Sequence, residues 1–440
     1  MNPNRFSQAD DVHQYLDSIP MFGQAGAAAA RFDLKPIRAF LTRLEDPHKR
    51  VPVIHVAGTN GKGTTCRMLA SVFQEAGYRT GLYTSPHLIR FHERVRIDGK
   101  MIDDGGLLKF FQQFESDLRE RPLTYFELST VIAFWYFAES DCDIAVIETG
   151  LGGRLDATNV VDPLISVITS VSLDHTDLLG ASISHIAREK AGIIKPSKPV
   201  VIGSLPDDAF AEVLNRAHET GSRVYVSSRT RPVWNRSVVH LQRNNGLQLE
   251  LKLAGRKPVD RYNVAITLVV AELLEEKWPG LTDSIQKAME KLNTRFADAA
   301  TFQKLLSGRS WYFDGAHNAE AIRSLFEMIL EGAGGREPVV FLSMMRDKAT
   351  PAVLEQFRNL RTIYYTTAGT NRSATCEEIQ RILPKVQCLE ATDPGIYGLL
   401  DSLKSELVIF TGSFYFYRQV QHWITSQPPS DKINNPVSGL

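Results

Sequence analysis

The sequence predicts an α/β protein: a mostly parallel sheet with helices between its strands, a small β-hairpin sheet, and a smaller Rossmann-like α/β domain at the carboxyl end. Three observations carry that expectation. The runs DIAVIETG, PLISVITSV and KPVVIGS are rich in Val and Ile, as in strands buried on both faces of a parallel sheet. They alternate with segments whose apolar residues recur at helical spacing. At 440 residues, against a guide of about 150 per domain, the chain needs more than one core.

The elements follow in order. VPVIHVA reads as a strand leading into the loop AGTNGKGTT; TTCRMLASVFQEAGY reads as a helix ending at Gly77, and RTGLYTS as a short strand. The three apolar runs continue the sheet. From Arg223 to about Tyr262 the texture becomes β-hairpin, with the turn signal Asn244-Asn245-Gly246 inside VVHLQRNNGLQLELKL. VAITLVVAELLEEKW and DSIQKAMEKL read as helices. After NTRFADAATF the alternation restarts with SWYFDGAHN, AIRSLFEMIL, PVVFLSMM, TIYYTTA, CEEIQRIL and ELVIFTGSFYF. The junction therefore falls between Thr294 and Thr301, giving domains 1–296 and 297–425 and a disordered polar tail, 426–440.

Lys plus Arg and Asp plus Glu are 50 each, so no global field draws nucleic acid or an anionic membrane. The start MNPNRFSQADDVHQYL lacks the apolar core of a signal peptide, and no stretch approaches the ~18 apolar residues of a span. A soluble, cytoplasmic protein is expected. Cys66, Cys142, Cys376 and Cys388 form no CxxC pair and share no metal-ligand spacing; all four read as buried thiols.

Polar clusters collect where strands end. The loop 57–65 looks like a P-loop, but only Thr59 and Asn60 separate Gly58 from Gly61-Lys62, and Gly63 follows Lys62, whereas the common fingerprint has four spacer residues and Ser or Thr after the lysine. A Gly-rich turn opening a helix leaves backbone N–H groups for phosphate oxygens; Lys62 adds a point charge and Thr64 a hydroxyl. A plain strand-to-helix turn is the alternative, and a mid-turn lysine argues against it. Glu148 ends the next strand run, placed to hold Mg²⁺ beside a triphosphate or to cap a turn. The three glycines and Arg154-Leu155-Asp156 after it imply a loop that approaches something closely. Asp174, His175 and Asp177 follow PLISVITSV as ligands, proton carriers or structural groups. Lys190 precedes Ala191-Gly192-Ile193-Ile194; a buried lysine needs an anionic partner or a changed charge state, unless it snorkels to solvent. Asp314, Gly315, His317 and Asn318 end a strand of the second domain, where an Asp can accept a ribose hydroxyl.

HVAGTNGKGTT, LYTSPHL, TYFE, ETGLGGRLDATNV, DHTDLLG, EKAGIIKP, FDGAHN and TGSFY occur in the order seen in folylpolyglutamate and dihydrofolate synthases. The chain thus resembles these Mur-ligase-like, ADP-forming amide ligases up to about residue 420, and the short loop with Gly after Lys is that family's form. The resemblance implies an N-terminal P-loop-type ATPase domain, ATP and Mg²⁺ as cofactors, and L-glutamate with dihydropteroate or a reduced folate as substrates. It implies a monomer, with neither nucleic acid nor membrane as partner. By position, Asn60, Gly61, Lys62, Gly63, Thr64, Asn263, Arg295 and Asp314 would bind ATP; Ser85, Glu148, His175 and a carbamylated Lys190 would hold Mg²⁺. Thr124, Tyr125 and Leu155 would line the folate site, bordered by IPMFGQAGAA, and His317 and Ser413 would meet glutamate. Lys62, Lys190 and His317 would be the catalytic groups. Two departures bear on the adenine and hinge contacts: Asp260 stands where the family commonly has glutamine, and Ala297 breaks the junction motif. A muropeptide ligase and a non-catalytic ATP-binding homologue are the alternatives.

Overall fold

The eight strands β1 (Val53–Ala57), β2 (Thr80–Tyr83), β3 (Val95–Ile97), β4 (Lys100–Met101), β5 (Ile144–Glu148), β6 (Ile165–Ile168), β7 (Val200–Ile202) and β8 (Val224–Val226) form one sheet in the order β4-β3-β2-β5-β1-β6-β7-β8. From β2 to β8 every pairing is parallel; β3 and β4 add an antiparallel edge. This computed structural model describes residues 5–21, 31–253, 256–296, 300–332, 336–390, 392 and 395–426. Ala297, most of the IPMFGQAGAA stretch and the tail beyond 426 lie outside them.

The chain leaves β1 for β2 on one side and reaches β6 on the other, so the carboxyl end of β1 is a topological switch point, where ligands bind in open α/β sheets. Val56 pairs with Glu148 and Ala57 with Ile168, which brings the ends of β1, β5 and β6 to one edge. Alternate side chains enter opposite cores: Ile54, Val56, Ile144 and Val146 meet the helices Lys62–Glu75, Asp260–Leu274 and Leu281–Arg295. Val53, Ala145 and Ile147 face the helix Tyr125–Glu139 and the aromatic cluster of Phe40, Phe110 and Phe111. That division follows from the two-residue period of a strand.

The small sheet is β9 (Val233–Asn235), β10 (Val238–Gln242) and β11 (Gln248–Lys252), all antiparallel. Gly246 turns the hairpin at φ +84°, a left-handed value that suits glycine. The hairpin texture nevertheless starts later than the sequence suggests. β8 follows the helix Asp207–Thr220 and pairs with β7 in parallel, Val224 beside Val200, so it completes a βαβ crossover in the main sheet.

Contact within the chain defines two compact units, Met1–Ala254 with Val259–Phe296, and Gly255–Pro258 with Ala297–Leu440. In the second, β12 (Gln303–Lys304), β13 (Ser310–Asp314), β14 (Val339–Leu342), β15 (Ile363–Tyr365), β16 (Gln387–Cys388) and β17 (Leu407–Thr411) run in the order β12-β13-β17-β14-β15-β16, parallel except for β12. One face packs Ile322, Leu325, Val340, Leu342 and Ile409; on the other, the Phe341 and Phe410 rings stack at 4.9 Å. Cys66 and Cys142 are buried thiols, as expected. Cys376 and Cys388 are not: they form a disulfide with Cα atoms 6.1 Å apart, because β16 is an exposed edge brought beside the start of the helix Cys376–Gln380. Among the described residues no helix is long and apolar enough to cross a membrane.

Candidate active site

The loop after β1 is held from β6. Thr59 N–H donates to the Ser170 carbonyl (2.9 Å), Asn60 N–H to Ser170 Oγ (2.9 Å), and Thr169 Oγ1 to the Asn60 carbonyl (2.7 Å). Gly61 adopts φ +81° as the residue before the helix Lys62–Glu75, and a Cβ there would meet Asn263 Oδ1 at 2.5 Å. Lys62 is half-buried and its Nζ donates to the Thr59 carbonyl at 3.2 Å, so it folds back over the loop. Thr64, in the first turn of the same helix, is buried.

Gly63 explains the departure from the ordinary P-loop. A Cβ at this position would lie 3.3 Å from Glu148 Oε2 and 3.0 Å from Arg67 Nη1, so a larger side chain would displace the carboxylate. Glu148 is buried and accepts from Ser85 N–H at 3.1 Å, which joins the ends of β2 and β5 to the loop. Burial raises its pKa, while Lys62 and Arg67 oppose that shift. A buried carboxylate, a hydroxyl-bearing Ser85 and the start of a phosphate loop form a donor set that suits an oxygen-seeking cation.

Asp156 organises the glycine loop after β5. Its Oδ2 accepts from Gly150 N–H (2.9 Å) and Leu151 N–H (2.8 Å), and its Oδ1 from Thr158 N–H (3.0 Å) and Thr158 Oγ1 (2.5 Å). The close approach expected of this loop is real: a Cβ on Gly153 would stand 2.8 Å from the Glu189 carbonyl and 3.0 Å from that of Lys190. Lys190 itself is buried, 3% exposed, and its Nζ donates to the Gly58 carbonyl at 2.9 Å. Burial and the nearby Lys62 bring its pKa down to about 7, against the pull of Asp174, Asp156 and Glu189. It does not snorkel. His175 sits at φ 49° after β6, its N–H bonded to Asp174 Oδ1 at 2.9 Å and its Nε2 4.0 Å from the same oxygen.

Thr124 is a helix cap: its hydroxyl accepts from Glu127 N–H (3.3 Å), and the Glu127 carboxylate accepts from Thr124 N–H (2.8 Å). Tyr125 begins that helix as a buried ring bordered by His87 (6.1 Å) and Phe91 (6.0 Å), with the Arg94 guanidinium over it at 5.3 Å. Burial pushes its hydroxyl up to about 12. Leu155 is partly exposed, next to the buried Asp156.

Asp260 has a role the sequence did not show. Its Oδ1 accepts from Asn263 Nδ2 at 2.9 Å, while Asn263 Oδ1 accepts from Thr65 Oγ1 at 3.2 Å and borders Gly61. The carboxylate thus orients the amide against the loop. Asp260→Ala should cost about 1–3 kcal/mol by leaving that buried amide short of an acceptor, read as a lower denaturant midpoint at unchanged slope. Arg295 is placed elsewhere: it donates to Ser71 Oγ (2.6 Å) and Glu75 (2.6 Å), further along the Lys62–Glu75 helix than the loop. Burial works against the Glu75 carboxylate, but Lys287, Lys291 and Arg295 hold its pKa down to about 2.

In the second unit, Asp314 is buried and its carboxylate accepts from Phe302 N–H (2.8 Å), Ala316 N–H (3.0 Å) and Lys257 Nζ (2.8 Å). It braces the strand end. His317 Nδ1 lies 2.8 Å from the Gly315 carbonyl; since a carbonyl only accepts, Nδ1 carries a proton. Ser413 is buried and its Oγ accepts from Tyr415 N–H at 3.2 Å.

A short glycine loop at the switch point of a parallel sheet, with a buried carboxylate and a buried lysine against it, defines a ligase core of the Mur type, and the Mur ligase middle domain family matches residues 56–271. The chain belongs to the folylpolyglutamate synthase/dihydrofolate synthase family. It is 30% identical to the folylpolyglutamate synthase of Lacticaseibacillus casei over 428 residues, covering 92% of this chain and 96% of the relative. It is 32% identical to the dihydrofolate synthase/folylpolyglutamate synthase of Escherichia coli K12 over 385 residues, 86% of this chain and 88% of the relative. Solved structures agree: Mycobacterium tuberculosis folylpolyglutamate synthase complexed with ADP and AMPPCP superposes with a TM-score of 0.81 at 25% identity, covering 97% of this chain and all of the other. E. coli FolC in complex with DHPP and ADP gives 0.80 at 27% identity, covering 97% and 99%.

Proposed function

We propose that this chain uses ATP to join L-glutamate to the carboxylate of dihydropteroate, to the γ-carboxylate of a reduced folate, or to both, releasing ADP and phosphate. One observation carries the reading: the buried Glu148 carboxylate accepts from Ser85 N–H and leaves too little room for an unstrained Cβ at Gly63, which sets that carboxylate against the glycine loop. The loop N–H groups and the positive end of the Lys62–Glu75 helix would cradle the phosphates. Lys62, released from Thr59, would neutralise charge on the transferring phosphoryl group. The substrate carboxylate attacks that group, forming an acyl phosphate; the glutamate amine then attacks the acyl carbon and phosphate leaves from a tetrahedral intermediate.

Ser85, Glu148, His175 and Lys190 as its carbamate would hold Mg²⁺, and the donor chemistry fits. Mg²⁺, when bound, supplies positive charge to the phosphates. Tyr125, with Phe91, His87 and Arg94 around it, offers an aromatic and cationic wall for a flat pterin acid. His317 and Ser413 are the proposed glutamate contacts. Incubation with ATP, glutamate and either dihydropteroate or tetrahydrofolate, with products identified by mass, should give an amide one glutamate heavier. No amide with any pterin acid would overturn the assignment.

A further inference from the structure

His13, His92 and Asp104 form a cluster that includes none of the candidate catalytic, phosphate or metal residues. His13 Nε2 and His92 Nε2 each lie 2.8 Å from the same oxygen, Asp104 Oδ1. The three ligand atoms fall within 4.8 Å of one another, the only such group of His, Cys, Asp and Glu among the described residues. They come from three remote segments: the helix Ala9–Ser18, the turn Phe91–Arg94 before β3, and the first residue of the helix Asp104–Gln113. Packing already holds them together, for Phe111 belongs to the same helix as Asp104. Phe6 and Tyr15 pack on Phe111 at 4.9 and 5.6 Å, His92 is buried, and Asp103 caps its helix through Gly106 N–H at 2.7 Å.

Two imidazoles aiming the same nitrogen at one carboxylate oxygen surround a common point with two nitrogens and an oxygen. That donor set selects borderline transition cations over Mg²⁺, with water completing the shell on the exposed side of Asp104. Neighbouring ligand atoms of a tetrahedral ion with bonds of about 2.0–2.1 Å stand about 3.3 Å apart, so each nitrogen would have to draw back from Asp104 Oδ1 by about half an ångström.

We propose that His13, His92 and Asp104 form a binding site for a divalent cation of the zinc class that staples the N-terminal helix to the β3 edge of the sheet. The staple adjoins the aromatic wall: Phe91, beside His92, meets the Tyr125 ring, and the Glu93 carboxylate gathers the N–H groups of Leu88, Ile89 and Arg90 at 2.6–2.8 Å. His92 Nδ1 is buried without a hydrogen-bond partner, so the ring lacks the outer acceptor that strengthens structural zinc sites. Micromolar affinity is expected.

The test dialyses the chelator-treated full chain against micromolar ZnCl₂ in excess Mg²⁺ and counts bound zinc with a chromophoric chelator. Wild type should retain one zinc per chain more than His13→Ala or His92→Gln, and that increment should persist in a His175→Ala background. Zinc should raise the thermal midpoint of wild type and leave that of His13→Ala unmoved. His13 is partly exposed and outside the candidate catalytic groups, so His13→Ala should fold and keep its glutamate-dependent ADP release. Equal zinc in wild type and His13→Ala, or an increment that vanishes with His175→Ala, overturns the proposal and leaves the trio as a hydrogen-bonded latch.

Discussion

Lys62→Ala is expected to lower glutamate-dependent ADP release about a thousandfold, the scale seen when a preorganised positive group is removed from a transferring phosphoryl group. The fold should not notice. Lys62 is half-buried, opens its helix from outside the core, and gives up one hydrogen bond, to the Thr59 carbonyl; surface changes of this kind stay within about 0.5 kcal/mol. Glu148→Ala should lose a similar factor, for it removes the carboxylate that Gly63 and Ser85 are built around. If both groups serve one phosphoryl centre, the double variant should fall little further than either single one. Steady-state ADP release beside denaturation midpoints tests this. Turnover within about tenfold of wild type in Lys62→Ala, at a magnitude far below that of a lost phosphate ligand, would remove the lysine from the mechanism.

The loop was legible because its chemistry is local: strand, glycine turn and helix are contiguous, and a lysine in such a turn has few structural uses. Its wider setting was not. Gly63 follows Lys62 because Glu148, from a strand far along the chain, fills the space beside it, and no spacing rule contains that contact. Asp156 reads as a loop residue, yet its four hydrogen bonds hold the loop after β5. The helix Tyr125–Glu139 is buried nearly all round, so it has no amphipathic period to betray it. β3 and β4 are too short, and carry Arg96 and Lys100, to announce themselves as an edge hairpin. β8 sits between a helix and a true hairpin and takes on the hairpin's texture when only composition is read. The Cys376–Cys388 pairing and the His13, His92 and Asp104 group depend on segments brought together by the fold.

Lys190→Ala is the second large expected loss, about a hundredfold or more by the same electrostatic reasoning, and it separates a charged lysine from a modified one. The amine is buried beside the Gly58 carbonyl, its pKa brought down to about 7 by burial and by Lys62. Near neutral pH a large share of it is therefore the uncharged nucleophile. Addition of that amine to carbon dioxide forms an N–C bond and releases one proton, leaving a carbamate anion. The modified side chain would be an anion beside the Gly58 carbonyl, within the electrostatic reach of Asp174 and Asp156, and a divalent cation would compensate it. The variant that truncates the side chain leaves room for a small carboxylic acid, so acetate or propionate should restore part of the lost activity to Lys190→Ala and none to Lys190→Arg, whose guanidinium neither carbamylates nor vacates the space. Wild-type activity should fall on exhaustive removal of carbon dioxide and return with bicarbonate, and labelled bicarbonate should give a carbamate resonance that is absent from Lys190→Ala. Full activity without carbon dioxide, together with no rescue by short acids, would mean that the lysine acts as an amine, holding the loop through Gly58 and nothing more.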